Sequence, residues 1–290
     1  MSALGFVRGH GMSDLITMDD LSNDEILEIL DAAERLLPVA NGDVYAPLLQ
    51  GKVLGNLFFE NSTRTRMSFE SAMKRLGGEV VNLSSVGSSV AKGETLYDTM
   101  QMVDGYADIA VIRHPRQGAA QYSADAIGIP ILNAGDGAGN HPTQTMLDLF
   151  TIRQDHGTIE GLNVVLVGDL RYGRTTHSLS HALVRFGAKL TLVSPDSLRM
   201  PTEIVGDLQS HGSEVIESEN LSGAIAEADV IYMTRIQKER FPDEDEYAKL
   251  AGIYKMTADD LAGAKGGMIV MHPLPRVDEI DPSVDSTKHA

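Results

Sequence analysis

The residues Glu60-Asn61-Ser62-Thr63-Arg64-Thr65-Arg66 gather hydroxyls and guanidinium groups between an apolar run and a helical pattern. Hydroxyls, a guanidinium and the free amides of a helix N-terminus are what a phosphate or another small dianion needs. The same residues also suit a helix cap flanked by solvated arginines. His141 stands before Pro142, where it can cap a helix, fill space or donate to a substrate, and Gln144 follows one helical turn later on the same face. Arg235 and Gln237 are two apart after the apolar run Val230–Met233, so both can face one side of an extended chain. Arg174 and Arg235 could fork onto carboxylates, with Gln237 hydrogen-bonding beside them, or the two arginines could form ordinary surface salt bridges.

These groups lie in a chain whose elements alternate. Met18–Leu37 repeats apolar residues at helical spacing and predicts an amphipathic helix ended near Pro38. Lys52–Phe59 fits a buried strand, followed by the polar loop and a helix over Met67–Leu76 closed by Gly77-Gly78. Further strands are expected at Glu79–Leu83, Ile109–Arg113 and Pro130–Asn133, with helices around Thr95–Tyr106 and Gly118–Ala126. After a helical Thr143–His156, strands are expected at Asn163–Gly168, Lys189–Val193, Val215–Ile216, Val230–Met233 and Met268–Met271. Helices Thr175–Phe186, Thr202–His211 and Leu221–Glu227 separate the first four of these. Alternating βαβ units imply parallel sheets covered by helices, here in two α/β domains over 1–143 and 158–290 joined by a helix over 144–157. The charged stretch Gln237–Tyr247 reads as a flexible lid.

Composition narrows the function classes. A chain of 290 residues is comfortable for two cores, and 42% apolar with 22% charged residues is a globular balance. No apolar run approaches the roughly 18 residues of a membrane span, and Met1–Ser13 lacks the apolar segment of a signal peptide, so a cytoplasmic protein is expected. The absence of cysteine excludes disulfides, thiolate zinc sites and a cysteine nucleophile. A net charge of −17 argues against nucleic-acid or anionic-membrane partners. A chain this acidic can bind anions only by collecting a few cations at one place.

Phe58–Arg66 is similar to the S-T-R-T-R phosphate-binding signature of the carbamoyltransferases, a family with aspartate and ornithine members. Ser88–Thr95, Arg113-His114-Pro115, Asn133–Gln144, Val167–Arg174, Met233–Glu239 and His272–Glu279 resemble the aspartate branch in the same order, so the likeness runs from about residue 15 to 290. The wording His272-Pro273-Leu274-Pro275 and the triplet Arg235-Ile236-Gln237 are marks of that branch. The resemblance implies the two-domain carbamoyltransferase fold, with a carbamoyl phosphate-binding domain before an aspartate-binding one. It implies transfer of the carbamoyl group of carbamoyl phosphate to L-aspartate, giving N-carbamoyl-L-aspartate and phosphate, a committed step of de novo pyrimidine biosynthesis. Such a reaction is accelerated by holding the reactants together and stabilising the oxygen that becomes negative, and it requires no metal or cofactor.

By the same resemblance, Ser62, Thr63, Arg64 and Thr65 bind the phosphate, and Arg113 bridges phosphate and carbonyl oxygen. Thr65, Arg113 and His141 form the oxyanion-stabilising set, and Gln144 accepts from the carbamoyl NH2. Arg174, Arg235 and Gln237 match the aspartate-binding positions, while Leu274 and Pro275 resemble the segment whose carbonyls hold the substrate amino groups. Ser88 and Lys92 are expected to reach into a neighbouring subunit's site, Lys92 serving both substrates, which implies a homotrimer. Glu60, Arg240 and Arg174 resemble the ion pairs of domain closure. Regulatory chains or a partner dihydroorotase are open.

Three other readings compete. An ornithine carbamoyltransferase is the nearest. A dinucleotide-binding dehydrogenase is suggested by Val164–Gly173, but Gly168 and Gly173 are five apart with bulky residues between, so the G-x-G-x-x-G fingerprint is missing. A non-catalytic protein of the same fold would have no reason to retain the substrate-contact residues. Family chains normally continue past Ala290 into a final helix, so a shortened chain is expected, and Met1–Gly11 reads as an extension with Met12 an alternative start.

Overall fold

The computed structural model describes residues 14–85, 87–137, 139–236 and 252–290. Two α/β units divide within helix α5 (Pro142–His156), between Met146 and Leu147. Each has a parallel sheet flanked by helices, the expected class.

In the first unit, strands β1 (Val53–Phe58), β2 (Glu79–Ser84), β3 (Ile109–His114) and β4 (Ile131–Asp136) pair in the order β2-β1-β3-β4. Helices α2 (Arg64–Arg75), α3 (Leu96–Asp104) and α4 (Ala119–Ala126) make the crossovers. Alternate residues face opposite sides: Leu57, Ala110, Ile112 and Ile131 pack on Met100, Val103 and Ala120, while Leu54, Phe58, Val111 and Ala134 pack on Met73. This two-sided burial is why the central strands read as continuous apolar runs.

Helix α1 (Asn23–Asn41) corrects the expected Met18–Leu37. It begins at a capping box, in which Ser22 N–H donates to Glu25 Oε2 at 2.8 Å, while Met18–Asp20 forms a separate short turn. It also runs through Pro38 instead of ending there. Val39, in the last turn, is buried, and Gly42 in the left-handed region closes the helix with Asp43 N–H donating to Pro38 O at 2.8 Å. Packing of that turn outweighs the bond that proline removes. Helix α2 likewise starts at Arg64, not Met67, so the second half of the phosphate signature lies in its first turn.

A further strip completes the first sheet. Leu15 forms a parallel bridge with Leu132, its N–H donating to Ile131 O at 2.8 Å and its carbonyl accepting from Asn133 N–H at 2.9 Å. Asp14 Oδ1 takes Ile131 N–H at 2.7 Å. The outer edge of β4 is thereby covered.

In the second unit, β5 (Asn163–Val167), β6 (Lys189–Val193), β7 (Val215–Ser218), β8 (Val230–Met233) and β9 (Ile269–Met271) pair in the order β7-β6-β5-β8-β9. Helices α6 (Arg174–Arg185), α7 (Thr202–Ser210) and α8 (Leu221–Glu227) link the first four strands. Val165, Val167, Ile231 and Met233 pack against Ile225, Met256 and Leu261 on one face. Tyr232 is fully buried and spends its hydroxyl on Asp148 Oδ2 at 2.8 Å. No helix of the described residues is long and apolar enough to cross a membrane.

In each parallel sheet the order in which the chain adds strands reverses once. In the first this falls between β1 and β3, in the second between β5 and β8. In open parallel sheets the crevice beyond the strand C-termini at such a reversal is where ligands bind.

Candidate active site

The first reversal holds the hydroxyl and guanidinium groups. Phe58 is in register with Arg113, and Phe59 N–H donates to Arg113 O at 2.8 Å, so Glu60–Thr63 leaves β1 beside the end of β3. Thr63 precedes α2 in helical conformation and makes no side-chain capping bond, which sets aside the cap reading of this threonine. Ser62 and Thr65 are half-buried, and Arg64 is exposed. Arg113 is the anchored cation: Nη2 donates to Glu60 Oε1 at 3.1 Å, and the side chain is only 13% exposed.

His141 stands at the next strand end. The loop from β4 into α5 is organised by Asp136, which is 3% exposed. Its Oδ1 accepts Asn140 N–H at 2.6 Å and its Oδ2 accepts Gly118 N–H at 2.8 Å. Asn133 braces the same loop, its Oδ1 accepting Gly135 N–H at 2.9 Å and its Nδ2 donating to Ile16 O at 2.9 Å. His141, 5% exposed, therefore enters α5 in a fixed pose, with Gln144 N–H directed at its Nδ1 at 3.3 Å. With Nδ1 facing that N–H, Nε2 is the ring nitrogen left to donate to a ligand. Gln144 is half-buried one turn on.

Ser88 and Lys92 belong to a surface turn after β2. Ser88 Oγ donates to Ser85 O at 3.2 Å, and Lys92 is exposed at the end of the short turn Ser89–Lys92.

The second reversal carries the remaining arginines. Thr234 N–H donates to Val167 O at 2.9 Å, drawing the segment after β8 against the end of β5. A Cβ on Gly168 would lie 2.3 Å from Thr234 O, and its φ of 114° is left-handed, so only glycine fits. That glycine serves strand approach, not a dinucleotide. Arg235 follows, half-buried. Asp169, fully buried, accepts Tyr172 N–H on Oδ1 at 3.0 Å and shapes the turn that delivers Arg174 as the first residue of α6. Gln237, Arg240 and the expected lid over Gln237–Tyr247 lie outside the described residues.

Beyond β9, Leu274 has φ 55° and a cis bond to Pro275, and the residue is exposed. Glu279 nearby is buried, which raises its pKa, but hydrogen bonds from His272 and from backbone N–H groups outweigh this and hold it at about 2. Arg276 forms a bidentate pair with Asp285. Sequence reasoning assigned no role to Asp136, Asn133, His272 or Glu279. Their presence in the quoted segments is the one signal that could have drawn attention to them.

Residues 13–154 match the carbamoyl-P binding domain of aspartate/ornithine carbamoyltransferases, and residues 160–290 match the Asp/Orn binding domain. The chain belongs to the aspartate/ornithine carbamoyltransferase family. It is 55% identical over 280 residues to the aspartate carbamoyltransferase catalytic subunit of Archaeoglobus fulgidus, covering 96% of this chain and 92% of that one. The solved catalytic subunit of M. jannaschii aspartate transcarbamoylase superimposes with a TM-score of 0.90 at 50% identity, over 96% of this chain and 91% of that one. The Trypanosoma cruzi aspartate transcarbamoylase in complex with carbamoyl phosphate and aspartate gives 0.91 at 40% identity, over 96% and 90% of the two chains.

Proposed function

We infer that this chain transfers the carbamoyl group of carbamoyl phosphate to the amino group of L-aspartate, giving N-carbamoyl-L-aspartate and phosphate. The observation that carries this is the grouping at the first sheet reversal of an anchored Arg113 beside the hydroxyl-rich Ser62–Thr65 turn. It is supported by relatives that are aspartate carbamoyltransferases over nearly their whole length.

Each role is the one the family resemblance implies, and each suits the chemistry of the step. Ser62, Thr63, Arg64 and Thr65 bind the phosphate through hydroxyls, amides and a guanidinium at the start of α2. The uncharged amine of aspartate attacks the carbamoyl carbon, a C–N bond forms, and the carbonyl oxygen takes up negative charge. Thr65, Arg113 and His141 Nε2–H donate to that oxygen, and donors fixed before the reaction cost no reorganisation during it. Gln144 accepts from the carbamoyl NH2. The C–O bond to phosphate then breaks, and the departing phosphate carries off the electron pair and takes the amine proton. Arg174, Arg235 and Gln237 hold the two carboxylates, with Leu274 and Pro275 turning carbonyls to the amine. Cations at both positions favour aspartate over ornithine, whose side chain is itself cationic.

The finer reading adds assembly and place. Ser88 and Lys92 act in a neighbour's site within a homotrimer in the cytoplasm, and the reaction feeds pyrimidine synthesis. Glu60, Arg174 and Arg240 serve domain closure, with domains over 1–143 and 158–290 joined by the helix over 144–157. The test is product formation from carbamoyl phosphate with aspartate and, separately, ornithine. Carbamoyl aspartate alone is expected. Product from ornithine only, or from neither, would overturn the reading.

A further inference from the structure

His272 and Glu279 have no assigned contact with either substrate, yet each side chain is 6% exposed. Between them they close a ring of hydrogen bonds around the Leu274 turn. Leu274 N–H donates to His272 Nδ1 at 2.7 Å, and His272 Nε2 meets Glu279 Oε1 at 2.6 Å. Glu279 Oε2 also accepts the N–H groups of Val277 at 3.2 Å and Asp278 at 3.1 Å. A backbone N–H aimed at Nδ1 leaves the imidazole proton on Nε2, so Nε2 is the donor and Glu279 the acceptor.

Burial here is the inverse of what a packing turn would show. The polar pair is inside, while Leu274 is 48% exposed and contributes little to a core. Leu274 is also the one described non-glycine residue with positive φ, at 55°. A left-handed leucine persists only where its surroundings over-determine it, and such places gather at functional sites. What the pair holds is therefore the direction of a backbone. Fixing Leu274 N–H on one side and Val277 and Asp278 N–H on the other leaves the intervening carbonyls little freedom to rotate.

We propose that His272, oriented by Glu279, is a positioning residue that aims the Leu274 carbonyl at the substrate amine and so sets the affinity for aspartate. This rests on the assignment of Leu274 to the aspartate site.

Two substitutions separate the halves of the imidazole. In His272→Asn the amide oxygen can replace Nδ1 as acceptor for Leu274 N–H, whereas in His272→Gln the amide nitrogen can replace Nε2 as donor to Glu279. For His272→Gln the expected result is an aspartate KM raised about tenfold, the loss of one well-made hydrogen bond, with carbamoyl phosphate affinity unchanged. His272→Asn should keep an aspartate KM within about threefold of the parent while losing comparable thermal stability. An unchanged aspartate KM in His272→Gln would overturn the proposal, as would equal KM increases in both variants that track their stability losses. These outcomes are read against a parent that forms carbamoyl aspartate. A parent inactive with aspartate would instead overturn the assignment of Leu274, and the proposal with it.

Discussion

Glu60 and Arg113 are paired where the first sheet reverses: Glu60 Oε1 accepts from Arg113 Nη2 at 3.1 Å, and the glutamate is 35% exposed. An anion arriving at Arg113 must share the guanidinium with this carboxylate. Glu60→Gln is therefore expected to tighten inorganic phosphate binding by up to about fivefold, the worth of a partly exposed ion pair. Titration calorimetry checks this, and weaker binding in the variant would mean that Glu60 organises Arg113 more than it competes with the anion.

Arg113→Ala and His141→Ala should lower kcat by about 10²–10³, because each removes a donor to charge that is complete only in the transition state. Single-turnover rates at saturating substrates decide the matter. Near-parental turnover in either variant would remove that residue from the oxyanion set.

Arg235→Ala should weaken aspartate binding by roughly tenfold or more, as expected for loss of a charge-assisted contact, and spare carbamoyl phosphate. Each ligand is titrated separately. Equal losses for both would contradict a division of labour between the two units.

Lys92→Ala and Arg64→Ala should each be nearly inactive, and a denatured and reassembled mixture should regain a minority of parental activity. Some interfaces of a mixed trimer then combine one intact Lys92 with one intact Arg64. Mixed trimers that form but stay inactive would refute a site shared between subunits.

Acid should weaken the second unit through Glu279. Its folded pKa of about 2 lies below the ordinary 4.5, so the stabilisation it contributes is fully present above the latter value and is lost as pH falls towards the former. Asp281, also held at about 2 by hydrogen bonds from Ser283 and Lys255, acts in the same sense. Urea midpoints measured from pH 5 downward should fall, and Glu279→Gln should start lower and fall less steeply. A slope unchanged by that substitution would exclude Glu279 as the group responsible.

The parallel sheets were legible because their strands are buried on both sides: Val164–Val167 and Ala110–Ile112 have no polar alternation to obscure them. The Glu60–Arg66 turn stood out in the sequence as hydroxyls and guanidinium groups close together, whereas spacing alone left His141 between a cap, a filler and a donor. Other features depend on contacts that local pattern does not encode. Helix α1 passes through Pro38 because Val39 is buried and Arg75 donates to Val39 O at 3.3 Å from another helix. Asp136 looks like one more loop carboxylate until the fold brings Gly118 and Asn140 to its two oxygens. His272 and Glu279 are seven apart with no helix or strand between them, so only the folded turn joins them.

The strip formed by Asp14–Ile16 along β4 has a consequence for handling the protein. Its backbone occupies the N–H and C=O groups that an outermost strand otherwise presents to any passing chain. Proteolysis that reached Ile16 would uncover those groups and give the first sheet a sticky border, inviting edge-to-edge aggregation. An affinity handle placed ahead of Asp14 leaves the border sealed, whereas a cleavage site set within the strip would trade purity for precipitate.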